Sequence, residues 1–496
     1  MSVTPSKPPF KKSLKDLFPN QVPLLQGSKF HARKEKPLSY DPTFSRQAEL
    51  QLDCLIIGAG LAGLASAIVL TRSGHRVRIY EKRSQAIPEF SCGVRLPPNL
   101  TKILYEWGLQ LDSSASACTQ SHFLTVETNT PVGLFEWKEE ILKEAGGDYL
   151  MMRYEKLYTM LYEKALSLGV SITCNSHVLS VAFNEERSVP VAHLADDIIH
   201  SADLILGADG PTGVVRESIT GCPNTGHLSG SDFYSIVVPA EKLKGDPDWG
   251  KWVTTPKWPI WMGTNICVLA HPIDNLSQLT AHAWLPSKTA SPETWSNLYP
   301  TDQIDFTGCH PCIRRLFLMT ETAVHTPVVF RTICEDWVDE SGTIALVGES
   351  AHPLVFFTSQ NAALAVEDAT VLGGLLSHLS SREQLPQLLE AYQDLRMPRV
   401  QLVHETEMNN VTFGTQDDIE LQELRNDAIT SSMKKGEGWS DQHLRAQLDA
   451  IRAEFCYHAS EDAEDWWTKW GAMISDRGIR TQFNLTFEVT EVIDVN

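Results

Sequence analysis

The sequence predicts an α/β protein: a doubly wound parallel sheet carrying an inserted, mainly antiparallel β layer and closed by C-terminal helices. Three observations predict it. A short apolar run, a glycine-rich turn and a second short run follow one another just after residue 50. A second apolar run ends in an Asp-Gly turn at Asp209 and Gly210. From 222 to 330 the apolar residues partly alternate, as in a sheet with one covered face.

At 496 residues the chain exceeds one small core and accommodates roughly two to four domains. We divide it into a basic leader (1–50), a first core segment (51–221), the β layer (222–330), a second core segment with a late helix (331–412) and a C-terminal helical region with a tail (413–496). The leader holds Lys7, Lys11, Lys12, Lys15, Lys29, Arg33, Lys34, Lys36 and Arg46 among several prolines. It reads as mobile and leaves organelle targeting open. The whole chain has a formal charge of -20, which argues against a nucleic-acid or anionic-membrane partner.

The apolar run Cys54 to Leu70 is slightly short for a membrane span and is broken by three glycines, so a soluble protein without a span is expected. Ten scattered cysteines fit a reducing, cytoplasmic setting. Cys309 and Cys312 have metal-like spacing but no second pair, so a plain loop and no metal are expected.

The strongest motif is "LDCLIIGAGLAGLASAIVLTRSGHRVRIYEKR". Gly58, Gly60 and Gly63 have the G-x-G-x-x-G spacing between a strand and a helix. Gly58 permits the tight turn, Gly60 lets backbone amides approach a pyrophosphate, and Gly63 lets the helix lie close on the strand. The helix N-terminus faces the phosphates with its positive dipole end. Glu81 ends the second strand, where its carboxylate can accept two ribose hydroxyls and would repel a 2'-phosphate. Together these specify a Rossmann-like site for FAD or NAD rather than NADP.

Further segments extend the pattern: "SADLILGADGPTGVVRESI", "MMRYEKLYTMLYEKALSLGV", "SCGVRLPPNLTKILYEWGL", "YQDLRMPRVQLVHETEMNN" and "SGTIALVGESAHPLVFFTSQNAALAVEDATVLGGLL". Taken in their order along the chain, they resemble the single-component FAD-dependent aromatic monooxygenases of the salicylate-hydroxylase type, especially fungal ones of secondary metabolism. The resemblance runs from about residue 50 to about 475. It implies FAD as bound cofactor, with NADPH or NADH as transient electron donor and O2 as co-substrate.

Position by position, the resemblance implies that Gly58, Gly60 and Gly63 hold the FAD pyrophosphate and Glu81, beside Lys82, the adenosine ribose. Gly93 and Val94 would line the loop beside the cofactor, and Arg153 would neutralise its phosphate-ribityl region. Asp209, Gly210, Glu349 and Ala362 would complete the site. The reaction implied is hydroxylation or epoxidation of a small aromatic or polyketide-like substrate, with the flavin carrying the chemistry and the protein supplying position, dryness and charge. Candidates for favouring a substrate phenolate are Arg216 and Tyr234, then Arg95 and Arg331. His352 reads as a structural histidine. Six tryptophans of the β layer (Trp249, Trp252, Trp258, Trp261, Trp284 and Trp295) read mainly as core, some as walls of an aromatic pocket.

One stretch departs from the family's pattern. Where relatives have Gly-Asp-Ala-Ala-His-Pro, then Pro, then Gly-Gln-Gly-Ala, this chain has Gly348-Glu349-Ser350-Ala351-His352-Pro353, then Phe356, then Ser359-Gln360-Asn361-Ala362. Glu349 keeps the acceptor oxygens of the usual Asp on a longer arm. Ser359 and Asn361 replace glycines and are expected as helix caps, but they add bulk where backbone would approach the flavin. Phe356 would narrow the pocket. The departures leave a second reading: a flavoprotein of this fold that has lost oxygen transfer and acts as an oxidase, cyclase or dehydratase, or only binds.

Overall fold

The computed structural model describes residues 46–84, 92–111, 114–137, 139–222, 226–287, 297–355, 358–434, 449 and 451–480. The expectations for residues 1–45, for Trp295, for Phe356 and for the tail beyond 480 lie outside them.

A five-stranded sheet, parallel throughout, runs in the order Ile344–Leu346, Leu204–Gly207, Asp53–Ile57, Arg76–Tyr80, Ser171–Thr173. Its central strands read as nearly continuous apolar runs because both faces are covered. Six helices matter for the site: α1 (Leu61–Arg72), α2 (Pro98–Glu106), α3 (Tyr154–Ser167), α4 (Asn361–Leu376), α5 (Leu385–Thr415) and α6 (Ala459–Arg480). The apolar residues of α1 and α4 bury against the sheet and against each other in one large core. The two helices approach so closely at Gly373 that a Cβ there would lie 2.7 Å from Val69 Cβ.

An eight-stranded sheet forms the second layer. Its order is Asn297–Pro300, Thr322–Phe330, His227–Pro239, Gln278–Pro286, Ile266–Ile273, Lys257–Gly263, Gln120–Thr125, Pro131–Glu136. All its pairings are antiparallel except Lys257–Gly263 with Gln120–Thr125. Two of its strands thus come from residues 120–136, outside the 222–330 span read from the sequence.

Side chains alternate between the two faces. One face is sealed by Tyr234, Ile236, Trp249, Trp261, Val268 and Phe317 in its own core. The other turns towards the parallel-sheet domain and the C-terminal helices. It presents Trp258, Leu269 and Ile273 to Tyr149 and Phe455, and Phe233, Cys267 and Trp284 to Val355, Met408 and Val411. Of the five described tryptophans of the layer, Trp258 and Trp284 lie on this near face.

The Cys-His-Pro-Cys segment is not a plain loop. His310 caps the helix Pro311–Phe317, accepting from the Cys312 amide at 3.4 Å. Among the described residues no helix is long and apolar enough to cross a membrane.

Candidate cofactor and substrate site

In the glycine turn after Asp53–Ile57 the three glycines differ in what surrounds them. Gly58 has φ +102° and donates to Tyr80 O at 2.8 Å, and a Cβ on it would stand 2.3 Å from Ala208 O. A Cβ on Gly63 would stand 2.0 Å from Gly58 O. These two glycines are required by the fold itself. Gly60 is different: a Cβ there would meet nothing within 4 Å. It caps α1 with extended backbone and no side-chain hydrogen bond, so the first amides of the helix face open space.

Glu81 is buried, and its carboxylate accepts from the Ala59 amide (2.8 Å), the Arg83 amide (2.9 Å), Arg83 Nε (3.0 Å) and Arg83 Nη2 (3.3 Å). Burial raises its pKa, and the Arg83 contacts outweigh this and lower it. Arg83, which sequence reasoning missed, also lies over the Tyr158 ring at 6.0 Å. Its guanidinium occupies one acceptor position on each oxygen of the Glu81 carboxylate. Lys82 is exposed.

Gly93 answers to the second layer. A Cβ on it would lie 2.3 Å from Thr280 Cγ2 and 2.9 Å from His271 Cε1, and its amide donates to Thr280 Oγ1 at 3.1 Å. Val94 packs on the main core. Arg153 likewise joins the layers: it bonds Asp274 (3.1 Å), Glu155 (2.9 Å) and Gln278 (2.8 Å), tying the head of α3 to the turn before Gln278–Pro286.

The departures in the late turn turn out to be partnered. Glu349 Oε1 accepts from Asn361 Nδ2 at 3.1 Å, so two altered positions satisfy each other. Ser350 Oγ accepts from the Gly210 amide (2.9 Å) and donates to Asp209 Oδ1 (3.2 Å). Asp209 also accepts from the Val215 amide (3.1 Å). The Ser359 amide and hydroxyl both donate to Glu407 on α5, at 2.8 and 2.7 Å.

Neither Ser359 nor Asn361 has positive φ, so nothing in their conformation calls for glycine. The expected capping does not occur: Gln360 occupies the N-cap without a side-chain bond, and Asn361 is the first helical residue, followed by the buried Ala362. Burial raises the pKa of both Asp209 and Glu349, with hydrogen bonds from Val215 and from Asn361 opposing it.

Beneath the turn lies a buried ionic network. Asp368 Oδ2 accepts from the Gly348 amide (2.9 Å) and pairs with His352 Nε2 (2.5 Å). Arg396 bridges Asp368 (2.8 Å) and Glu367 (2.9 Å), and Arg399 reaches Glu367 at 3.0 Å. Burial raises the Asp368 carboxyl, but His352 and Arg396 outweigh it and hold it at about 2. His352 is thus the structural histidine expected.

Glu454 donor contacts are fewer. It accepts from Gln360 Nε2 at 3.1 Å, and burial, with Glu407 nearby, pushes its pKa up to about 8. A carboxyl raised in the folded state binds more protons there than in the unfolded state between about pH 4.5 and 8. Its contribution is therefore fully present below the lower value and lost as pH rises through the upper one. Glu454→Gln should flatten the decline of the thermal midpoint between pH 5 and 9; an unchanged decline would count against this assignment.

The two leading phenolate candidates stand elsewhere. Tyr234 is on the sealed face of the eight-stranded sheet, stacked on His325 (4.9 Å). Arg216 is buried, donating to the carbonyls of Ser350 (3.0 Å), Ala351 (3.2 Å) and Thr332 (3.0 Å), which makes it a tie between the two turns. Arg95 does face the junction, with its guanidinium 5.7 Å from the Trp258 ring centre.

The described residues fit FAD on the open Gly60 cradle, the acid at the second strand's end and the uncapped α4 terminus. Comparison with known proteins agrees. The FAD binding domain family matches residues 51–407. The FAD-dependent monooxygenase OpS4 of Beauveria bassiana (strain ARSEF 2860) is 27% identical over 402 residues, covering 79% of this chain and 92% of that protein. The 3-amino-4-hydroxybenzoate 2-monooxygenase PtmB3 of Streptomyces platensis is 28% identical over 355 residues, covering 70% and 85%. A salicylate hydroxylase solved with substrate superimposes with TM-score 0.62 at 17% identity, over 81% of this chain and 98% of that one, and so shares the fold.

Proposed function

The chain belongs to the FAD binding domain family and is an FAD-dependent monooxygenase, and from that premise we propose that it hydroxylates a small oxygenated aromatic or polyketide-like molecule, using NADH or NADPH and O2. The observation that carries the reading is the pairing of the altered turn. Glu349 with Asn361, Ser350 with the Asp209-Gly210 turn and Ser359 with Glu407 form a rebuilt site, where a decayed one would leave orphans.

FAD, held on the Gly60 turn and beside the N-terminus of α4, would supply the hydride acceptance from a nicotinamide and the activation of O2 that the reaction needs. The chain's own residues do the rest. The N-terminus of α4, with no acid in its first turn, presents its positive dipole end to negative charge. Phe233, Trp284, Val355, Met408 and Val411 give an apolar wall that excludes water. Arg95 supplies positive charge beside Trp258, which favours a substrate phenolate over the phenol.

The purified protein should show an oxidised-flavin spectrum, and a phenolic substrate should stimulate NAD(P)H and O2 consumption. Bound flavin without any oxygen uptake across a broad phenol panel would favour the flavoprotein that has lost oxygen transfer.

A further inference from the structure

Two carboxyls meet the head of α4 without a cation of their own. Glu407, on α5, is buried and accepts from the amide and the hydroxyl of Ser359, at 2.8 and 2.7 Å. Glu454 is partly buried and accepts at 3.1 Å from Nε2 of Gln360, the N-cap of α4. Asn99 donates to Gln360 Oε1 at 2.9 Å, which fixes the Gln360 amide with its nitrogen towards Glu454. Among the described residues neither Glu407 nor Glu454 forms an ion pair. Arg399 reaches this corner, but its guanidinium is committed to the Glu367 carboxylate (3.1 and 3.0 Å) and to the carbonyls of Ala453 and Glu454 (2.7 Å each). The acids of the network beneath the turn differ, since Glu367 and Asp368 are each held by guanidinium groups.

Glu454 faces Glu407 and Arg399 from α5, Gln360 and Glu367 from α4, and Tyr149 from the end of the chain leading into Leu150–Arg153. Burial of its carboxyl and then Glu407 outweigh Gln360 and Arg399, so near neutral pH Glu454 keeps its proton. Tyr149, pushed up to about 12 chiefly by burial, stays a phenol over the same range. The proton on Glu454 therefore sets the charge at the head of α4 by one unit, and no acid of the helix's own first turn adds to it. The arrangement belongs to this chain's altered turn: a glycine at 359 would leave Glu407 the amide alone.

We propose that Glu454 acts through Gln360 on the head of α4, taking up a proton when the FAD bound there gains negative charge, so that the reduction potential of the flavin is tied to pH through this carboxyl. Two electrons and one proton leave the nicotinamide together as a hydride, and FAD gains one negative charge. That charge disfavours a carboxylate nearby, which then binds a proton from water. At low pH Glu454 is neutral before and after reduction, and at high pH it is charged before and after, so uptake falls between. Charges on the order of 10 Å apart change each other's proton affinity by about tenfold. For a two-electron couple tenfold is about 30 mV. Glu454 is a positioning residue in this account, and the inference rests on FAD at the head of α4, not on transfer of oxygen to a substrate.

The test measures the flavin potential of the full-length, FAD-loaded protein against redox dyes across the range from about pH 6 to about pH 10, which brackets the Glu454 value of about 8. Wild type and Glu454→Gln should coincide at the acid end, where the wild-type acid is neutral like the amide. They should separate as pH passes the Glu454 value, with wild type lower by about 30 mV at the alkaline end. The same comparison made in a Glu407→Gln background should separate from a lower pH, because the like charge beside Glu454 is gone. A protonated-carboxyl band in the infrared should grow on reduction in the middle of the range and be missing from Glu454→Gln.

Potentials that run parallel across the range, or an offset of equal size at both ends, overturn the proposal, since a purely structural change shifts both ends alike. If Glu454→Gln fails to hold FAD, wild type decides alone: its potential should fall more steeply just above the Glu454 value than on either side, and a uniform slope overturns the proposal. Absence of flavin-dependent oxygen uptake with these potentials intact overturns the oxygen-transfer reading and leaves the proton-linked flavin standing.

Discussion

Gly60→Asp should strip the protein of FAD while leaving it folded. Gly60 sits at φ -72° and ψ -177°, a conformation open to any residue, and its Cβ would touch nothing within 4 Å. Asp is also among the best N-caps, so the ligand-free helix α1 gains a bond it lacks. In the holoprotein the same carboxylate would stand where the pyrophosphate approaches the helix amides. Like charges brought together cost several kcal/mol, which is roughly 100-fold or more in affinity. The expected result is near-total loss of the flavin absorbance on purification, an FAD titration shifted by at least about 100-fold, and an unchanged or raised thermal midpoint of the FAD-free protein. Retained flavin would mean that the pyrophosphate does not lie on this turn.

Arg396→Leu has the largest expected effect on stability. Arg396, Glu367 and Asp368 are each 0% exposed, and Arg399 5%. Removing one member of such a group leaves buried charge without compensation, at a cost of about 3–5 kcal/mol. Asp368, held at about 2, loses a guanidinium, and with it the grip on the Gly348 amide loosens. Urea denaturation should show a midpoint lowered accordingly. Arg396→Lys should recover little, because one ammonium cannot reproduce the fork that spans two carboxylates. A loss below about 1 kcal/mol would show that the network is dispensable.

The glycine turn was legible in the sequence because its constraints are local: Gly58 and Gly63 are fixed by atoms of the same strand–turn–helix unit and of Ala208 beside it. Arg83 follows Glu81 by two residues, but no periodicity says that its guanidinium folds back onto that carboxylate. The near face was not legible because it depends on strand register. Tyr234 and its neighbour Ser235 differ by one position, and that step decides between the sealed core and the junction. The late turn read as a run of losses for a similar reason. Asn361 finds Glu349 twelve positions earlier, and Ser359 finds Glu407 on a different helix, so each departure looks unsupported until the chain is folded.

The central claim is that this rebuilt turn still supports transfer of oxygen to carbon. The most direct test is turnover under 18O2 with a phenolic substrate that stimulates oxygen uptake. The account predicts one labelled atom in the organic product for each NAD(P)H consumed in coupled turnover. Tight FAD binding with all of the label recovered as hydrogen peroxide, and an unlabelled product or none, would contradict it.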